Sequence, residues 1–413
     1  MPRRRLKASM DRLFNNESIN RNVAVLGITA AVSTFSISLW QGYLSVFLQG
    51  RFPSILFIGG SFSIYGLVTA VAYLVSGPLG DSYGRKRVIV LSSYLLGLSP
   101  LLLLFPDNLI LMLAPIVFYW AQTSLQPNYR AMIMDAVKPA FRGRAFGIFN
   151  SLAVSISAVA LLLSGLTLSL TSSSNESAFT AQTLAPLFLF SGISILIIAV
   201  VRTALLTETF GSGAAGRAGF RANVAKNVEP LRRKSLRLPT AAYMLHDAAL
   251  SLVLFLVPIY AVRQTSMAPW LLGGMYAAQA VLFFILQIPF GRFADLRGRT
   301  WVIAASFLLE AIFATAFVLH PNAFYAAFMY VIWMGFGQMD APAQVALLAD
   351  LSSIEERATV MGGFGGLTTL AAIPAPLVGG ILYSIYLPSP FYLCSALLLV
   401  STSAILYYRI KNR

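Results

Sequence analysis

Ionisable residues inside long apolar stretches are the feature of this sequence that most suggests chemistry. Arg130, Asp247, Glu310 and Asp340 each lie in a stretch long enough to cross a bilayer, and His246 directly precedes Asp247. A charged side chain in hydrocarbon is costly unless it is paired or faces water, so each of these residues is a functional candidate. A carboxyl that alternates between dry and wet surroundings can load and release a proton.

Asp340 and Asp247 are the first candidates for proton coupling, and Glu310 is the third. The alternatives are a hydrogen bond between helices or a static ion pair with Arg130. His246 lies about 100° from Asp247 around a helix, so both side chains cannot point squarely into one cavity. We therefore expect His246 to be packed and neutral.

Other polar side chains recur at helical spacing on the same stretches. They predict one polar stripe on each of several helices and, between the stripes, a substrate cavity. The aromatic members could stack on an organic solute, with packing against lipid or core as the competing interpretation. Arg130 is expected to contact an anionic group, to neutralise Asp247 or to belong to a gate. The candidate cavity residues are Trp40, Gln41, Tyr43, Gln122, Gln126, Arg130, Tyr243, Ser251, Trp333 and Gln344.

Composition identifies the elements that must position these residues. Of 413 residues, 57% are hydrophobic and 11% are charged, and the mean hydropathy is +0.74. So small a charged share excludes a water-soluble fold, and the long apolar stretches predict an all-α membrane protein with 12 transmembrane helices. The spans are expected to begin near Asn22, Phe57, Val88, Leu109, Ala145, Leu184, Thr240, Leu271, Trp301, Phe324, Thr359 and Phe391.

The distribution of charge predicts the orientation of the spans. Thirty Lys and Arg against 15 Asp and Glu give a net charge of +15, which in a soluble protein would suggest nucleic acid as a partner. Here nearly all basic residues fall on one side of the predicted membrane, with Arg51 and Arg263 on the other. This is the positive-inside pattern. We expect cytoplasmic N- and C-termini, a plasma-membrane location and no nucleic-acid partner.

A hydrophilic stretch after the sixth span divides the chain into halves that repeat each other at a shift of about 215 residues. The predicted domains are a basic cytoplasmic N-terminus (1–21), a six-helix bundle (22–206), a basic cytoplasmic loop (207–238), a second six-helix bundle (239–408) and a cytoplasmic C-terminus (409–413). A basic anchor is preferred to a secretory signal at the N-terminus, because the apolar run that follows is longer than a signal core.

Two short motifs carry the repeat. The first joins a glycine, an aspartate, a second glycine and an arginine, and the second joins an aspartate to a later arginine. A tight glycine turn between acidic and basic residues offers a charge-assisted clamp to a neighbouring helix end, which we interpret as a cytoplasmic gate. The competing interpretation is a turn whose charges only set topology. The gate candidates are Gly77, Asp81, Gly84, Arg85, Gly291, Asp295, Gly298 and Arg299 in the first motif and Asp135, Arg142, Asp350 and Arg357 in the second.

Through these motifs the chain resembles the major facilitator superfamily of transporters, whose loop between helices 2 and 3 has the pattern G-x-L-a-D-r-x-G-r-r. The resemblance spans the whole chain and implies two six-helix bundles related by a pseudo-two-fold repeat, with helices 1, 4, 7 and 10 around a central cavity. Ser82 and Leu296 depart from the pattern where the family often has Arg. The antiporter signature of helix 5 is missing from residues 158–165, and span eleven holds a partly similar run that includes Pro374 and Pro376.

Motifs for other activities are missing from the sequence. It holds no G-x-x-x-x-G-K-[ST] phosphate loop and no His-Glu-x-x-His, and the single cysteine, Cys394, leaves no cysteine-based metal site. We therefore expect no enzyme activity, no cofactor and no metal.

The resemblance implies secondary active transport of a small organic solute by alternating access, similar to the drug and proton antiporter branch, which exports solutes in exchange for protons. The alternative is a symporter or facilitator for a sugar, organic acid or amino acid, and a remote one is a non-transporting membrane sensor. The expected partners are a small-molecule substrate, protons and membrane lipid, and the protein is expected to be a monomer.

Overall fold

The computed structural model describes residues 17–105, 107–136, 142–172, 174–175, 177–208, 231, 233–337, 339–353 and 357–411. These residues fold into helices, and no strand occurs among them. Short 3-10 helices lie at Gln41–Tyr43 and Ser177–Phe179. The α-helices are α1 (Glu17–Ser38), α2 (Leu44–Arg51), α3 (Ile55–Tyr83), α4 (Arg85–Leu102), α5 (Asn108–Ala136), α6 (Arg142–Thr171), α7 (Ala181–Leu205), α8 (Lys234–Leu254), α9 (Leu256–Thr265), α10 (Pro269–Arg297), α11 (Arg299–Phe317), α12 (Ala323–Gly337), α13 (Asp340–Asp350), α14 (Arg357–Ala372), α15 (Ala375–Ile385) and α16 (Ser389–Lys411).

These helices form twelve membrane spans. In the described part of the chain, 10 helical segments are long and apolar enough to cross a bilayer. Three of them join two helices each: α1 with α2, α8 with α9, and α14 with α15. The remaining two spans are α4, which has 18 residues, and span ten, which is divided into α12 and α13. The prediction of an all-α protein with twelve spans is confirmed.

Several spans are interrupted near their middle. Spans one and seven break in corresponding places, at the turn before α2 and at Phe255 between α8 and α9. Span eleven ends its first helix at Ala372 and begins the second at Ala375, beside Pro374. A proline removes a backbone donor and clashes with the preceding turn, which favours a break at this place.

The chain divides into two compact units, each with its own apolar core. The first consists of Met1–Gln41, Val71–Ala160 and Leu184–Arg217, and the second of Gly42–Ala70, Leu161–Thr183 and Ala218–Arg413. Both units therefore draw on the first six spans. The predicted boundaries at 22–206 and 239–408 follow the sequence repeat instead, and they stay a prediction.

Large apolar side chains are exposed along the helices. Leu170 is 86% exposed and Ile197 is 59% exposed, both inside predicted spans. A protein in water would bury such side chains, whereas hydrocarbon solvates them and leaves the backbone hydrogen bonds inside each helix intact. The helices are therefore suited to lipid.

Glycine turns occupy corresponding places in the two halves. Gly84 joins α3 to α4 with φ 97° and ψ 135°, and Gly298 joins α10 to α11 with φ 96° and ψ 134°. Such a positive φ strains any residue with a Cβ, so glycine is required at both turns. The sequence repeat thus corresponds to a repeat of backbone geometry.

Candidate functional site

A buried carboxyl and a buried histidine meet between α8 and α11. Glu310 is 1% exposed and His246 is 6% exposed. The Nε2 atom of His246 lies 3.3 Å from Oε1 and 3.2 Å from Oε2 of Glu310. Both helices pack against α16, which supports the two side chains at hydrogen-bond distance.

A second carboxyl contacts the other nitrogen of the same ring. The Nδ1 atom of His246 lies 3.0 Å from Oδ1 of Asp247. The side chain of Asp247 is 35% exposed, against 2% for that of Glu310. His246 is packed, as expected from the sequence, but its ring also connects a dry carboxyl with a partly exposed one.

Hydrogen-bond stoichiometry requires one additional proton in this group. A neutral imidazole has one N–H donor, and ionised carboxyl groups only accept hydrogen bonds. Contacts from both ring nitrogens to carboxyl oxygens therefore need one more proton than a neutral ring and two carboxylates carry. Either the imidazole is protonated or one carboxyl is.

Asp340 joins the cluster from the break in span ten. It is the first residue of α13 and is 6% exposed, and it interacts electrostatically with His246 and Glu310. A helix N-terminus favours a negative charge at this position. The hydroxyl of Tyr243 is buried beside the Asp340 carboxyl without a hydrogen bond of good geometry. Asp340, Asp247 and Glu310, predicted from separate spans, thus lie in one cluster.

Aromatic rings and a glycine shape the walls of this carboxyl cluster. Phe307 stacks on the imidazole of His246 with centroids 4.2 Å apart and planes 20° apart. Gly337 leaves room for Glu310, because a Cβ there would lie 2.8 Å from Oε1. Ser306 donates a hydrogen bond at 3.2 Å to the Gly337 carbonyl, which satisfies an acceptor at the end of α12.

Three predicted cavity residues of the second half lie apart from these contacts. Ser251 and Gln344 are half-buried. Trp333 is fully buried, 6.1 Å from Phe317 between ring centroids, and its indole Nε1 has no hydrogen-bond partner. Its surroundings in the second unit are those of a packed core residue.

Three predicted glutamines line a cavity in the first unit. The cavity has a volume of about 170 Å³. It also contains Arg202, which the sequence did not single out. Its lining residues are Ala30, Ser33, Thr34, Ile37, Ser38, Gln41, Leu96, Gln122, Leu125, Gln126, Tyr129 and Arg202.

Trp40 and Tyr43 are packing residues in the structure. The indole N–H of Trp40 donates to Ser191 Oγ at 3.0 Å, and its ring lies 4.9 Å from that of Phe118. The hydroxyl of Tyr43 lies 3.0 Å from Ser164 Oγ. The side chain of Arg130 is exposed and is not part of the cavity lining.

The second copy of the gate motif forms a clamp. Arg299 pairs with Asp350 through Nη1, and the same nitrogen donates to the Ala346 carbonyl at 2.7 Å. The guanidinium thus connects the start of α11 to the end of α13. Asp295, the aspartate of the first motif in this half and a gate candidate, has an exposed side chain.

In the first copy of the gate motif, the glycine turn is capped by a residue that the sequence analysis did not indicate. Glu208 accepts the backbone N–H of Arg85 at 3.2 Å and that of Lys86 at 3.0 Å, so its carboxylate caps the N-terminus of α4. Gly77 and Gly291 lie within α3 and α10. The side chains of Asp81, Asp135, Arg142 and Arg357 lie outside the described residues.

Close glycine contacts join helices at the ends remote from the glycine turns. A Cβ at Gly165 in α6 would lie 2.6 Å from the Pro269 carbonyl oxygen and 3.0 Å from Gly273 Cα in α10. A Cβ at Gly59 in α3 would lie 2.5 Å from the Pro376 carbonyl oxygen in α15. These crossings depend on small residues, as close packing of membrane helices generally does.

The profile of the Major Facilitator Superfamily matches residues 24–282 and 240–413. The chain belongs to this superfamily. An uncharacterized MFS-type transporter of Methanocaldococcus jannaschii is 24% identical over 95% of this chain and 96% of its own length. A second uncharacterized MFS-type transporter of that organism is 27% identical over 32% of this chain.

Solved transporter structures share the fold. The nucleoside transporter NupG superposes with a TM-score of 0.72 at 11% identity, over 94% of this chain and 97% of that one. A POT family transporter in complex with 5-aminolevulinic acid gives 0.73 at 13% identity, over 95% and 96%. By its family match the protein is a multi-pass membrane transporter of the major facilitator superfamily, and its relatives point to transport rather than catalysis.

The sequence reasoning did not single out Arg202 and Glu208, for two different reasons. Arg202 lies close to the end of the sixth span, where positive-inside counting treats basic residues as topology signals. The available signal for Arg202 was its position inside α7, preceded by a long apolar run. No sequence pattern pointed to Glu208 as the cap of α4, because 122 residues separate it from Lys86.

Proposed function

We propose that the protein couples movement of a small organic solute to proton movement. The observation that supports this most directly is the carboxyl cluster around His246, which needs an exchangeable proton for its hydrogen bonds. A buried group with a removable proton can link protonation to helix movement. When the proton leaves, the remaining charge has to be paired with an opposite charge or exposed to water.

Within the proposal each cluster residue has its own part. Asp247 is the exposed member and exchanges protons with water. His246 passes the proton to Glu310, which lies in the driest position. Asp340 lies at the break in span ten, so a change of its charge acts on the N-terminus of α13.

Alternating access is supported by the clamps and the glycine crossings. The Arg299–Asp350 clamp and the Gly165–Gly273 contact lie at opposite ends of α10 and its neighbours. If each set opens in turn, the solute meets one side of the membrane at a time. We propose that the protein lies in the plasma membrane as a monomer, with both termini in the cytoplasm. Its proposed partners are membrane lipid, the solute and protons.

For direction we propose export in exchange for protons, on the resemblance to the drug and proton antiporter branch. Symport or facilitated movement of an organic acid is the second candidate, because Arg202 offers a cation in the cavity of the first unit. The direction of proton flux under an outward solute gradient separates the two.

The test uses purified protein in liposomes with an internal pH dye. Solute-dependent proton flux is expected in the wild type and is expected to vanish in Asp340→Asn, Asp247→Asn and Glu310→Gln. Asp107→Asn is the matched control, since Asp107 caps α5 at its exposed end and asparagine preserves such a cap. Solute movement without proton flux, unchanged in all variants, would contradict proton coupling and leave a facilitator.

A further inference from the structure

Arg202 carries a buried charge without an acidic partner among the described residues. It lies in α7 and is 1% exposed. Its Nε donates to Thr29 Oγ1 at 3.0 Å and its Nη1 donates to Ser93 Oγ at 2.7 Å. A guanidinium has five N–H donors, so these two bonds leave part of the fork available.

Hydroxyl groups alone do not neutralise this cation. Charged groups inside membrane proteins are usually paired with opposite charge or face a water-filled cavity, because an isolated charge is costly there. Arginine keeps its proton under all ordinary conditions, so it cannot reduce this cost by losing its charge. The arrangement therefore calls for an anion or for water.

The space beside Arg202 has both polar and apolar walls and has room for a small molecule. The cavity of about 170 Å³ is lined by Arg202 together with Gln41, Gln122 and Gln126. Ser33 also lines it, is 7% exposed, and its hydroxyl has no hydrogen-bond partner. A buried hydroxyl without a partner indicates a group that is satisfied only when a ligand or water is present.

We propose that Arg202 is the anchor of a binding site for a small organic anion, whose carboxylate or phosphate group it holds. The planar fork suits a bidentate contact with either group. Gln41, Gln122 and Gln126 offer both donors and acceptors to the rest of the solute. The inference deepens the proposed function by naming the substrate class, and it rests on that function only for the claim that the bound anion is transported.

A purely structural role for Arg202 predicts a different outcome. Its bonds to Thr29 and Ser93 connect α7 to α1 and α4, so its removal could simply loosen the first unit. In that case the stability of the protein would fall when Arg202 is replaced. The affinity of the folded variant for anions and for neutral molecules would not depend on the charge at position 202. The discriminating readout is therefore ligand affinity measured on folded protein.

The experiment measures ligand binding to purified protein at constant pH, by calorimetry and by the shift in melting temperature. The probes are matched pairs: benzoate with benzamide, succinate with succinamide, and glycerol 3-phosphate with glycerol. At least one anion is expected to bind and its neutral partner is not. Arg202→Met is expected to abolish that binding and Arg202→Lys to weaken it about tenfold, since lysine keeps the charge and loses the fork. Arg263→Met, an exposed arginine of α9, is the control and should bind as the wild type does.

Several results would overturn the inference. These are no binding of any anion, equal binding of the neutral partners, or unchanged affinity in folded Arg202→Met. If that variant does not fold, Arg202→Lys and Gln126→Leu replace it, and unchanged affinity in both has the same consequence. Inorganic phosphate or an anionic lipid that binds as tightly as the best organic anion would overturn the assignment to an organic solute.

This measurement is independent of proton coupling. Arg202-dependent anion binding without proton flux in liposomes would sustain the anion site and contradict the proposed coupling. Proton flux driven by a cationic or neutral solute, with no anion binding, would sustain the proposed coupling and contradict the anion site.

Discussion

The two polar clusters of this transporter are built from different ionisable side chains, one from an arginine and the other from carboxyl groups around a histidine. The cluster of the first unit surrounds one buried cation, Arg202, with hydroxyl and amide groups. The cluster of the second unit surrounds His246 with the carboxyls of Asp247, Glu310 and Asp340. The duplicated scaffold has therefore acquired different chemistry in its two copies, one suited to an anionic group and one suited to a proton.

The difference can be assigned to a few positions of the repeat. At the shift of about 215 residues, Gln122 and Leu125 of α5 correspond to Gly337 and Asp340 in span ten. The first pair lines the cavity beside Arg202. In the second pair, glycine makes room for Glu310 and aspartate starts a new helix, so span ten is broken where α5 is continuous. The turns at Gly84 and Gly298 keep the same backbone angles in both copies.

Removal of the Glu310 carboxyl should have the largest effect, because it takes the most deeply buried acid out of the carboxyl cluster. Glu310→Gln keeps a partner for His246 and should fold, but solute-coupled proton flux should fall to the level of empty liposomes. Glu310→Leu also leaves Nε2 of His246 unpaired, and should cost about 1–3 kcal/mol of stability in addition. Flux assays and thermal melting in detergent check both effects.

Proton flux that persists in folded Glu310→Gln would restrict the exchangeable proton to His246, Asp247 and Asp340. A loss of flux in Glu310→Gln with full solute exchange would locate the defect in coupling rather than in substrate binding.

Gly337→Ala should act next, by crowding the same carboxyl. A Cβ at this position would lie 2.8 Å from Oε1 and 2.9 Å from Cδ of Glu310. Overpacking of this kind costs about 1–3 kcal/mol, and here it should also reduce proton coupling. Gly335→Ala is the matched control on the same helix, because the atoms nearest to its Cβ belong to the Leu282 side chain, so it also overpacks the helix but does not crowd Glu310. Equal loss of coupling in both variants would contradict the specific role of Gly337.

Sequence reasoning found the scaffold and the acidic residues but not their arrangement. Apolar length predicted twelve spans, and Pro374 lies at the break in span eleven, which a proline favours. Asp340, Asp247 and Glu310 stood out because few acids occur in apolar runs. Their convergence on His246 depends on how α8 and α11 pack, and helical spacing within one span carries no information about that.

The first unit also shows that helical spacing does not predict which side chains meet in the folded protein. The polar stripe of Gln122 and Gln126 indicated a cavity, and both residues line one. Arg130 shares their stripe but is exposed, while Arg202 on another span supplies the cation. Periodicity identifies a face of a helix, whereas the depth of a side chain and its neighbours come from the tertiary packing.

Leu125→Asp should transfer acidic character to the first unit and so test whether charge alone separates the two clusters. Leu125 is 8% exposed and lines the cavity that contains Arg202, so an aspartate there could pair with the guanidinium. Binding of organic anions should weaken at least about tenfold, since the new carboxylate competes for the same fork. Leu125→Asn is the control of equal size without the charge. Calorimetry with the best anion of the panel measures both, and equal affinities would contradict the role of Arg202.

The two smallest effects are expected at Glu208 and Asp350, which distinguish the two glycine turns rather than the two clusters. The turn at Gly84 is capped by this carboxylate through the backbone of Arg85 and Lys86, whereas the start of α11 is fixed by the Arg299 and Asp350 side chains. Glu208→Ala should cost about 1 kcal/mol, the usual loss on removing a helix cap, and Glu208→Gln less.

Asp350→Asn should cost less than Glu208→Ala, because an ion pair this exposed contributes little and the bond from Arg299 to the Ala346 carbonyl remains. Melting temperatures of the three variants in one detergent give the order. If Asp350→Asn lowers the melting temperature most, the Arg299–Asp350 clamp stabilises the protein more than the Glu208 cap does. The two turns would then differ in energy although their backbone angles are nearly the same.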